Sequence, residues 1–236
     1  MSALMNAELK LDQVCRSFGS YKAVTDVSLT FGAGELVCII GPNGAGKSTL
    51  LNMMCGTLPL SSGRITLGGM SLDGLSRDRI AQLGIARKFQ VPTVFESLSV
   101  ADNLRVAAGR AGDAVWLAEV LAMVNLAVDA NVSAGTLPHG KKQWLEIGMA
   151  LAMRPRILLL DEPTAGLSVD ETLATATLLK GLQGRVTVIV IEHDMGFVRD
   201  LGARTVVLHH GQIIASGPFS AIEEDETVRD IYLGRR

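Results

Sequence analysis

A glycine-rich run at positions 41–48 matches the phosphate-binding pattern G-x-x-x-x-G-K-[ST] without a mismatch. Gly44 and Gly46 allow backbone conformations that turn successive N–H groups towards phosphate oxygens. Lys47 adds a positive charge for the β- and γ-phosphates, and the Ser48 hydroxyl is a ligand for Mg²⁺. The run therefore predicts binding of ATP or GTP. The predicted nucleotide-binding residues are Gly41, Pro42, Asn43, Gly44, Ala45, Gly46, Lys47, Ser48 and Thr49.

Two adjacent carboxylates, Asp161 and Glu162, directly follow the apolar run 157–160. Ligands in open α/β sheets bind at the carboxyl ends of such buried strands. Asp161 is therefore predicted to hold Mg²⁺, directly or through water, and Glu162 to polarise the attacking water as a general base. Without the phosphate loop, the pair would indicate no more than the end of a strand.

A histidine, His193, stands at the end of the next apolar run, 186–191, between Glu192 and Asp194. A lone histidine in this position is typical of a surface or capping residue. Here, neighbouring parallel strands would deliver His193 and Glu162 to the same edge of the sheet. His193 is therefore predicted to contact the γ-phosphate and to orient the water.

Apolar periodicity indicates which elements position these residues. Residues 9–31 alternate apolar and polar side chains, which predicts antiparallel strands with one covered face. Residues 36–40 are continuously apolar, as in a parallel strand buried on both faces, and the same pattern precedes Asp161 and His193. Helices are predicted at 114–126, 142–153 and 171–182.

The predicted fold class is α/β, with a P-loop NTPase (RecA-like) core, an N-terminal antiparallel β subdomain and an inserted helical subdomain. The chain is expected to form a single domain over residues 1–236. Residues 1–91 and 156–236 would form the nucleotide-binding core with its β subdomain, and residues 92–155 the helical subdomain.

Composition limits the classes of partner. The chain has 236 residues, a net charge of -2 and 48% hydrophobic residues. It has no overall basic field for non-specific nucleic-acid binding, so no nucleic-acid partner is expected. The three widely spaced cysteines favour a reducing compartment. No stretch approaches the roughly 20 apolar residues that span a bilayer, so a membrane role would require a partner subunit.

The order of these motifs resembles that of the ABC ATPases over nearly the whole chain. The series comprises the phosphate loop, Gln90, the segment 137–141, Asp161 to Thr164, and Glu192 to Asp194. In that family two cassettes enclose two ATP molecules, and each site combines the phosphate loop of one subunit with the signature segment of the other. The resemblance implies that Gln90 senses Mg²⁺ and the γ-phosphate. It also implies that Phe18 stacks on adenine, with Tyr21 as the alternative.

The signature segment, residues 137–141, departs from the family pattern Leu-Ser-Gly-Gly-Gln. Pro138 replaces the serine and removes a hydroxyl and an N–H group, while His139 and Lys141 replace a glycine and the glutamine. Lys141 is a candidate for a compensating positive charge. We therefore expect two unequal composite sites and a second, non-identical ABC ATPase subunit. Ser168 likewise lacks the family's carboxylate, so its loop is either a link between the sites or a tight connection.

Three further segments resemble the branched-chain amino acid and urea importer branch: 87–96, 139–148 and 232–235. They are most similar to the urea-type ATPase, and branched-chain amino acid uptake is the alternative. The resemblance implies integral membrane permease subunits, an extracytoplasmic solute-binding protein and a peripheral position on the cytoplasmic face of the inner membrane. Residues 94–98 are either a dock for the permease or locally packed. A soluble ABC ATPase of DNA repair or translation is the rival class.

Overall fold

The computed structural model describes residues 7–88, 94–109 and 112–233. In chain order its strands and helices are β1 (Leu9–Phe18), β2 (Tyr21–Phe31), β3 (Leu36–Ile40), α1 (Lys47–Met54), β4 (Ser62–Leu67), β5 (Met70–Ser71), α2 (Arg77–Gln82), β6 (Ile85–Lys88), α3 (Val100–Ala108), α4 (Ala114–Met123), α5 (His139–Ala152), β7 (Ile157–Asp161), α6 (Val169–Leu182), β8 (Thr187–Ile191), α7 (Met195–Leu201), β9 (Arg204–His209), β10 (Gln212–Pro218), α8 (Phe219–Glu224) and α9 (Glu226–Leu233). Short 3-10 turns at Ala127–Asp129 and Ala134–Thr136 precede α5.

The larger sheet in the described part of the chain has six strands in the order β10-β9-β3-β8-β7-β6. Strands β9, β3, β8, β7 and β6 are parallel to one another, and β10 is antiparallel to β9. Ile191 of β8 pairs with Ile39 of β3 on one side and with Asp161 of β7 on the other. The carboxyl ends of these three strands therefore meet at one edge.

Alternate residues of the central strands serve two different cores. Cys38 and Leu160 belong to the cluster that includes helices α3 to α7, whereas Ile39 and Leu159 pack with α1 and the smaller sheet. Because strand side chains point to opposite faces in turn, a strand covered on both faces needs apolar residues at every position. This requirement explains the apolar runs at 36–40, 157–160 and 188–191 within β3, β7 and β8.

The smaller sheet of the described residues has the order β2-β1-β4-β5, with each pair antiparallel. Leu9 pairs with Phe31 and Phe18 pairs with Tyr21, so β1 and β2 form a long hairpin that ends at a two-residue turn. The prediction of antiparallel strands over residues 9–31 is confirmed. The hairpin turn also brings the two predicted adenine aromatics together.

Helices α3, α4 and α5 lie between β6 and β7, within the range predicted to be helical. Helix α4 ends at Met123, earlier than predicted, because Asn125 adopts a left-handed backbone with φ of 56°. Helix α5 begins at His139, three residues before its predicted start. The subdomain boundaries at 92 and 155 stay a prediction. No helix in the described ranges combines the length and apolarity needed to cross a membrane.

Candidate functional site

The phosphate loop connects the buried strand β3 to the first turn of α1. Gly46 has φ of 102°, and a Cβ atom there would lie 2.3 Å from the carbonyl oxygen of Ala23. Gly44 has φ of 80° but would meet no atom within 4 Å. Gly44 is thus needed for its backbone angle alone, and Gly46 also for close packing against the smaller sheet.

Lys47 is buried at the start of α1, with 8% of its surface exposed. Its Nζ donates hydrogen bonds to the carbonyl oxygens of Gly41 at 2.7 Å and Pro42 at 3.1 Å. Burial lowers the pKa of Lys47, and the charges of Glu162 and Asp161 oppose that shift. The ammonium group is therefore held over the loop by groups that phosphate oxygens can replace.

An open pocket of about 230 Å³ lies against the loop. It is lined by Phe18, Tyr21, Ala23, Asn43, Gly44, Ala45, Gly46, Lys47, Ser48, Thr49 and Glu162. The predicted nucleotide-binding residues from Asn43 to Thr49 and the predicted base, Glu162, thus share one pocket. Its size and polar lining suit the phosphate end of a nucleotide.

Both candidate adenine aromatics line this pocket, and both are exposed: Phe18 to 47% and Tyr21 to 58%. The Arg16 guanidinium lies over the Phe18 ring at 4.7 Å from its centroid. The Tyr21 hydroxyl donates to the Gly44 carbonyl oxygen at 3.4 Å. The choice between them stays open, because each ring is available at the same hairpin end.

Asp161, the last residue of β7, is 2% exposed. Its Oδ2 accepts a hydrogen bond from Nη2 of Arg87 at 3.1 Å, whereas its buried Oδ1 has no hydrogen-bond partner among the described residues. Burial raises the pKa of Asp161, and the Arg87 guanidinium counteracts part of that rise. One carboxylate oxygen is therefore held by the protein and the other is left for a ligand.

Glu162 follows in a left-handed conformation, with φ of 47°. Its N–H donates to the Ile191 carbonyl oxygen at 2.9 Å, which continues the pairing of β7 with β8. The side chain is 32% exposed, and its Oε1 lies 3.4 Å from Nδ1 of His193. The structure thus brings together the residues named here the catalytic edge: Lys47, Asp161, Glu162 and His193.

Glu192 is a supporting residue to which sequence reasoning gave no role. Its carboxylate is fully buried and accepts hydrogen bonds from the Thr164 hydroxyl at 2.6 Å and the Thr164 N–H at 3.2 Å. It also accepts from the His193 N–H at 3.1 Å. These bonds tie the segment after β7 to the segment after β8. The available signal was an acidic residue directly after an apolar strand.

Gln90, the predicted sensor of Mg²⁺ and the γ-phosphate, lies outside the described residues. Strand β6 leads towards it and ends at Lys88. Sequence reasoning assigns Arg87 and Lys88 no role beyond the segment 87–96 of the importer resemblance. In the structure Arg87 contacts Asp161, and Lys88 forms a buried ion pair with Glu146 of α5 at 3.4 Å.

The signature segment forms the start of helix α5. Pro138 is its N-cap residue and provides no side-chain hydrogen bond to the helix. The ring of His139 is hydrogen-bonded through Nε2 to the Ala165 carbonyl oxygen at 3.3 Å. Nζ of Lys141 donates to Asp129 at 2.7 Å, so this ammonium would have to leave an ion pair before compensating for Pro138.

Ser168 caps helix α6 within a reciprocal capping box. Its hydroxyl accepts from the Glu171 N–H at 3.3 Å, and its N–H donates to the Glu171 carboxylate at 2.9 Å. The Leu167 N–H donates to the Thr164 carbonyl oxygen at 3.1 Å, which closes a tight turn before the helix. This geometry supports the interpretation of 165–168 as a tight connection.

Comparisons with known proteins agree with this fold. A family model described as ABC transporter matches residues 24–165. The chain is 36% identical to the high-affinity branched-chain amino acid transport ATP-binding protein BraF of Pseudomonas aeruginosa, over 96% of this chain and 97% of that protein. An ATP-binding cassette of an ABC transporter in its ADP conformation has a TM-score of 0.86 at 27% identity, covering 97% and 99% of the two chains. A dimeric bacterial ABC transporter cassette has a TM-score of 0.77 at 26% identity, covering 89% and 98%.

The chain belongs to the ABC transporter family, and the predicted α/β P-loop fold is confirmed. Within that family it is an ATP-binding subunit of an ABC importer, and its hydrolysis of ATP is coupled to transport. This function excludes the rival of a soluble ABC ATPase in DNA repair or translation. The expected branch is supported at the level of branched-chain amino acid importers, and the urea-type assignment stays a prediction.

Proposed function

We propose that the catalytic edge hydrolyses ATP by general base catalysis, with Glu162 polarising the water and His193 orienting it. The observation that carries this proposal is the 3.4 Å approach of Nδ1 of His193 to Oε1 of Glu162, beside a pocket lined by the phosphate loop. Glu162 is part-exposed, so its carboxylate can reach a water. Lys47 would exchange its two loop carbonyl oxygens for the β- and γ-phosphates.

We further propose that ATP binds together with Mg²⁺. The fit rests on Asp161, whose buried Oδ1 has no hydrogen-bond partner in the described ranges, and on the Ser48 hydroxyl in the phosphate-loop pocket. Mg²⁺ in nucleotide sites is usually held by one or two protein oxygens together with substrate phosphates, which this donor set matches. When bound, the ion would supply neutralisation of phosphate charge. Gln90 remains a proposed contributor from outside the described residues.

Replacement of Glu162 by glutamine tests the base assignment, because it removes the base but retains the size of the side chain. In the purified transport complex, E162Q should lower kcat at least about 100-fold while leaving ATP affinity intact. Glu119→Gln makes the same chemical change on an exposed face of α4 and controls for the loss of one charge. Unaltered hydrolysis by E162Q would make the assignment of Glu162 wrong.

The proposed partners are integral membrane permease subunits and a second ABC ATPase. Phe95 is a candidate contact for the permease, because it is 49% exposed while its backbone is fixed. Asn103, fully buried in α3, accepts from the Phe95 N–H at 2.7 Å and donates to the Phe95 carbonyl oxygen at 3.0 Å. A rigid loop that presents an exposed aromatic side chain suits a docking role. Phe95→Glu should then uncouple ATP hydrolysis from transport, with both rates measured in vesicles.

We propose urea as the transported solute, on the strength of the segments 87–96, 139–148 and 232–235. Branched-chain amino acids are the second candidate, favoured by the similarity to BraF. A solute-binding protein would deliver either solute, and the subunit would lie on the cytoplasmic face of the inner membrane. The native complex should be reconstituted with its binding protein, and its ATPase rate measured with urea and with leucine. Stimulation by leucine alone would replace urea with the second candidate.

A further inference from the structure

Arg87 has a set of contacts that the proposed mechanism does not use. Its side chain is 11% exposed, and within the described ranges its guanidinium donates to at least three groups. Nη2 bonds to Oδ2 of Asp161 at 3.1 Å, and Nη1 bonds to Oδ1 of Asn52 and lies 3.7 Å from Sγ of Cys55. Arg87 thus joins the end of β7 to the end of α1, from its own position on β6.

Because of these contacts, the two oxygens of the Asp161 carboxylate have different surroundings. Oδ2 is held by the guanidinium, whereas Oδ1 is buried and has no hydrogen-bond partner within the described ranges. A carboxylate that is held through one oxygen cannot rotate freely about its last bond. Its other oxygen therefore keeps a fixed direction, which is the requirement for a ligand of a small cation with strict geometry.

The second anchor is on the helix that carries the other predicted Mg²⁺ ligand. Ser48 lies in the first turn of α1, and Asn52 lies one turn further along the same helix. The planar guanidinium can bond to Asn52 and Asp161 at once because its N–H groups form a rigid fork. Arg87 thereby connects Asp161 to the helix that bears Ser48.

We infer that Arg87 is a positioning residue of the metal-nucleotide site, which sets the Asp161 carboxylate relative to helix α1 so that both predicted Mg²⁺ ligands converge on one ion. This inference rests on the proposed role of Asp161. A lysine at this position keeps the charge but offers a single point of attachment, so it could not hold Asn52 and Asp161 in the same way.

The test uses the full-length chain with Arg87→Met and Arg87→Lys, and it measures binding rather than turnover. Binding of a methylanthraniloyl derivative of ATP is followed by fluorescence, first in EDTA and then during titration with Mg²⁺. R87M should raise the half-saturating Mg²⁺ concentration about tenfold, an effect typical of removing a group that orients a metal ligand. R87K should give an intermediate value, and nucleotide affinity in EDTA should stay at the wild-type level for both.

Lys88→Met is the matched control, because it removes one positive charge from the next residue of β6. The Lys88 ammonium pairs with Glu146 of α5 rather than with Asp161, and both partners are buried. K88M should therefore lower thermal stability without raising the Mg²⁺ requirement. If R87M does not fold, R87K decides, since it must still need more Mg²⁺ than the wild type.

An unchanged or lower Mg²⁺ requirement in the Arg87 variants would overturn the inference. A lower requirement would mean that the guanidinium only competes with the ion for the carboxylate. A matching loss of affinity in EDTA would reduce Arg87 to a general structural role. Asp161→Asn separates this inference from the proposed function. If D161N leaves the Mg²⁺ requirement unchanged, the metal role of Asp161 fails. If D161N raises it and R87M does not, only the positioning role fails.

Discussion

Asp161 ends, and Glu162 directly follows, a strand that is buried along its whole length, whereas Pro138 and His139 lie exposed at the beginning of a helix. The catalytic edge is located by main-chain pairing between parallel strands, which continues into the Glu162 N–H. The signature segment is located by side-chain bonds to nearby loops, such as that of His139 to Ala165. Main-chain hydrogen bonds do not depend on side-chain identity, so a substitution should rarely move the catalytic edge. The position of the signature segment depends on particular side chains, so a substitution there should alter it more easily.

The largest effect is expected at the catalytic edge itself. His193→Ala should lower kcat about 100-fold with little change in the KM for ATP, since the orienting group near Glu162 is lost. Steady-state kinetics of the transport complex measure both constants. His210→Asn is the control, because it lies in the turn after β9 with φ of 46°, a backbone angle that asparagine tolerates. A wild-type kcat in H193A would contradict the role of His193.

A smaller effect of opposite sign is expected at the signature segment. Pro138→Ser restores an N–H and a hydroxyl at the start of α5, and one added hydrogen bond to a partner's nucleotide should raise turnover about threefold. ATPase activity of the complex with its natural partner is the measurement. Pro59→Ser, at an exposed proline outside the signature segment, is the control. An unchanged rate would count against two unequal composite sites.

The buried Cys38 in strand β3 predicts that the stability of the fold depends on pH. Burial in β3, and to a lesser degree the charge of Glu192, raises the pKa of the Cys38 thiol from its ordinary value of 9.0. At high pH the folded chain keeps a thiol proton that the unfolded chain loses. The contribution of Cys38 to the free energy of unfolding is therefore complete below pH 9.0 and declines as the pH rises.

Denaturant unfolding at several pH values tests this linkage. Above the thiol's ordinary pKa, the free energy of unfolding should fall by up to about 1.4 kcal/mol per pH unit from this group. Cys38→Ala should show a shallower decline, and Cys15→Ala, at a half-exposed position, controls for the loss of a cysteine. Equal slopes in C38A and the wild type would exclude the effect.

The smallest effect is expected in the segment 165–168, which joins β7 to α6 and bonds to the signature segment through the Ala165 carbonyl oxygen. Ser168→Ala removes the hydroxyl that caps α6 and should lower the free energy of unfolding by about 1 kcal/mol, with hydrolysis retained. Thermal unfolding and ATPase assays together measure this. Ser220→Ala, on an exposed face of α8, is the matched control. Loss of hydrolysis without loss of stability would instead favour a link between the two nucleotide sites.

Much of the catalytic edge could be predicted from the sequence, because Asp161, Glu162 and His193 lie at or just after the ends of apolar strands and Lys47 lies in the phosphate-loop pattern. The strand at 36–40 was predicted with its observed bounds. His193 lies after β8, which pairs with that strand, and Asp161 ends β7, which pairs with β8. Helix ends were less predictable. Asn125 ends α4 early through its backbone conformation, and α5 begins at His139, next to an N-cap residue that has no capping side chain.

The supporting contacts were not predictable, because they join residues far apart in the chain. Arg87 and Asp161 are separated by 74 positions, and Thr164 and Glu192 by 28. Their residue types are ordinary for a strand end or a turn. Only the order of strands in the sheet brings them within hydrogen-bond distance.

The sequence by itself determined that this chain has a phosphate loop, two carboxylates and a histidine at the ends of buried strands, and an altered signature segment. Those features are local, since each depends on residue types within a few positions of one another. Only the tertiary structure decided that Arg87 holds one oxygen of Asp161 and that Lys141 is paired with Asp129. These are distances between separate elements, and they depend on the packing of the whole sheet and its helices.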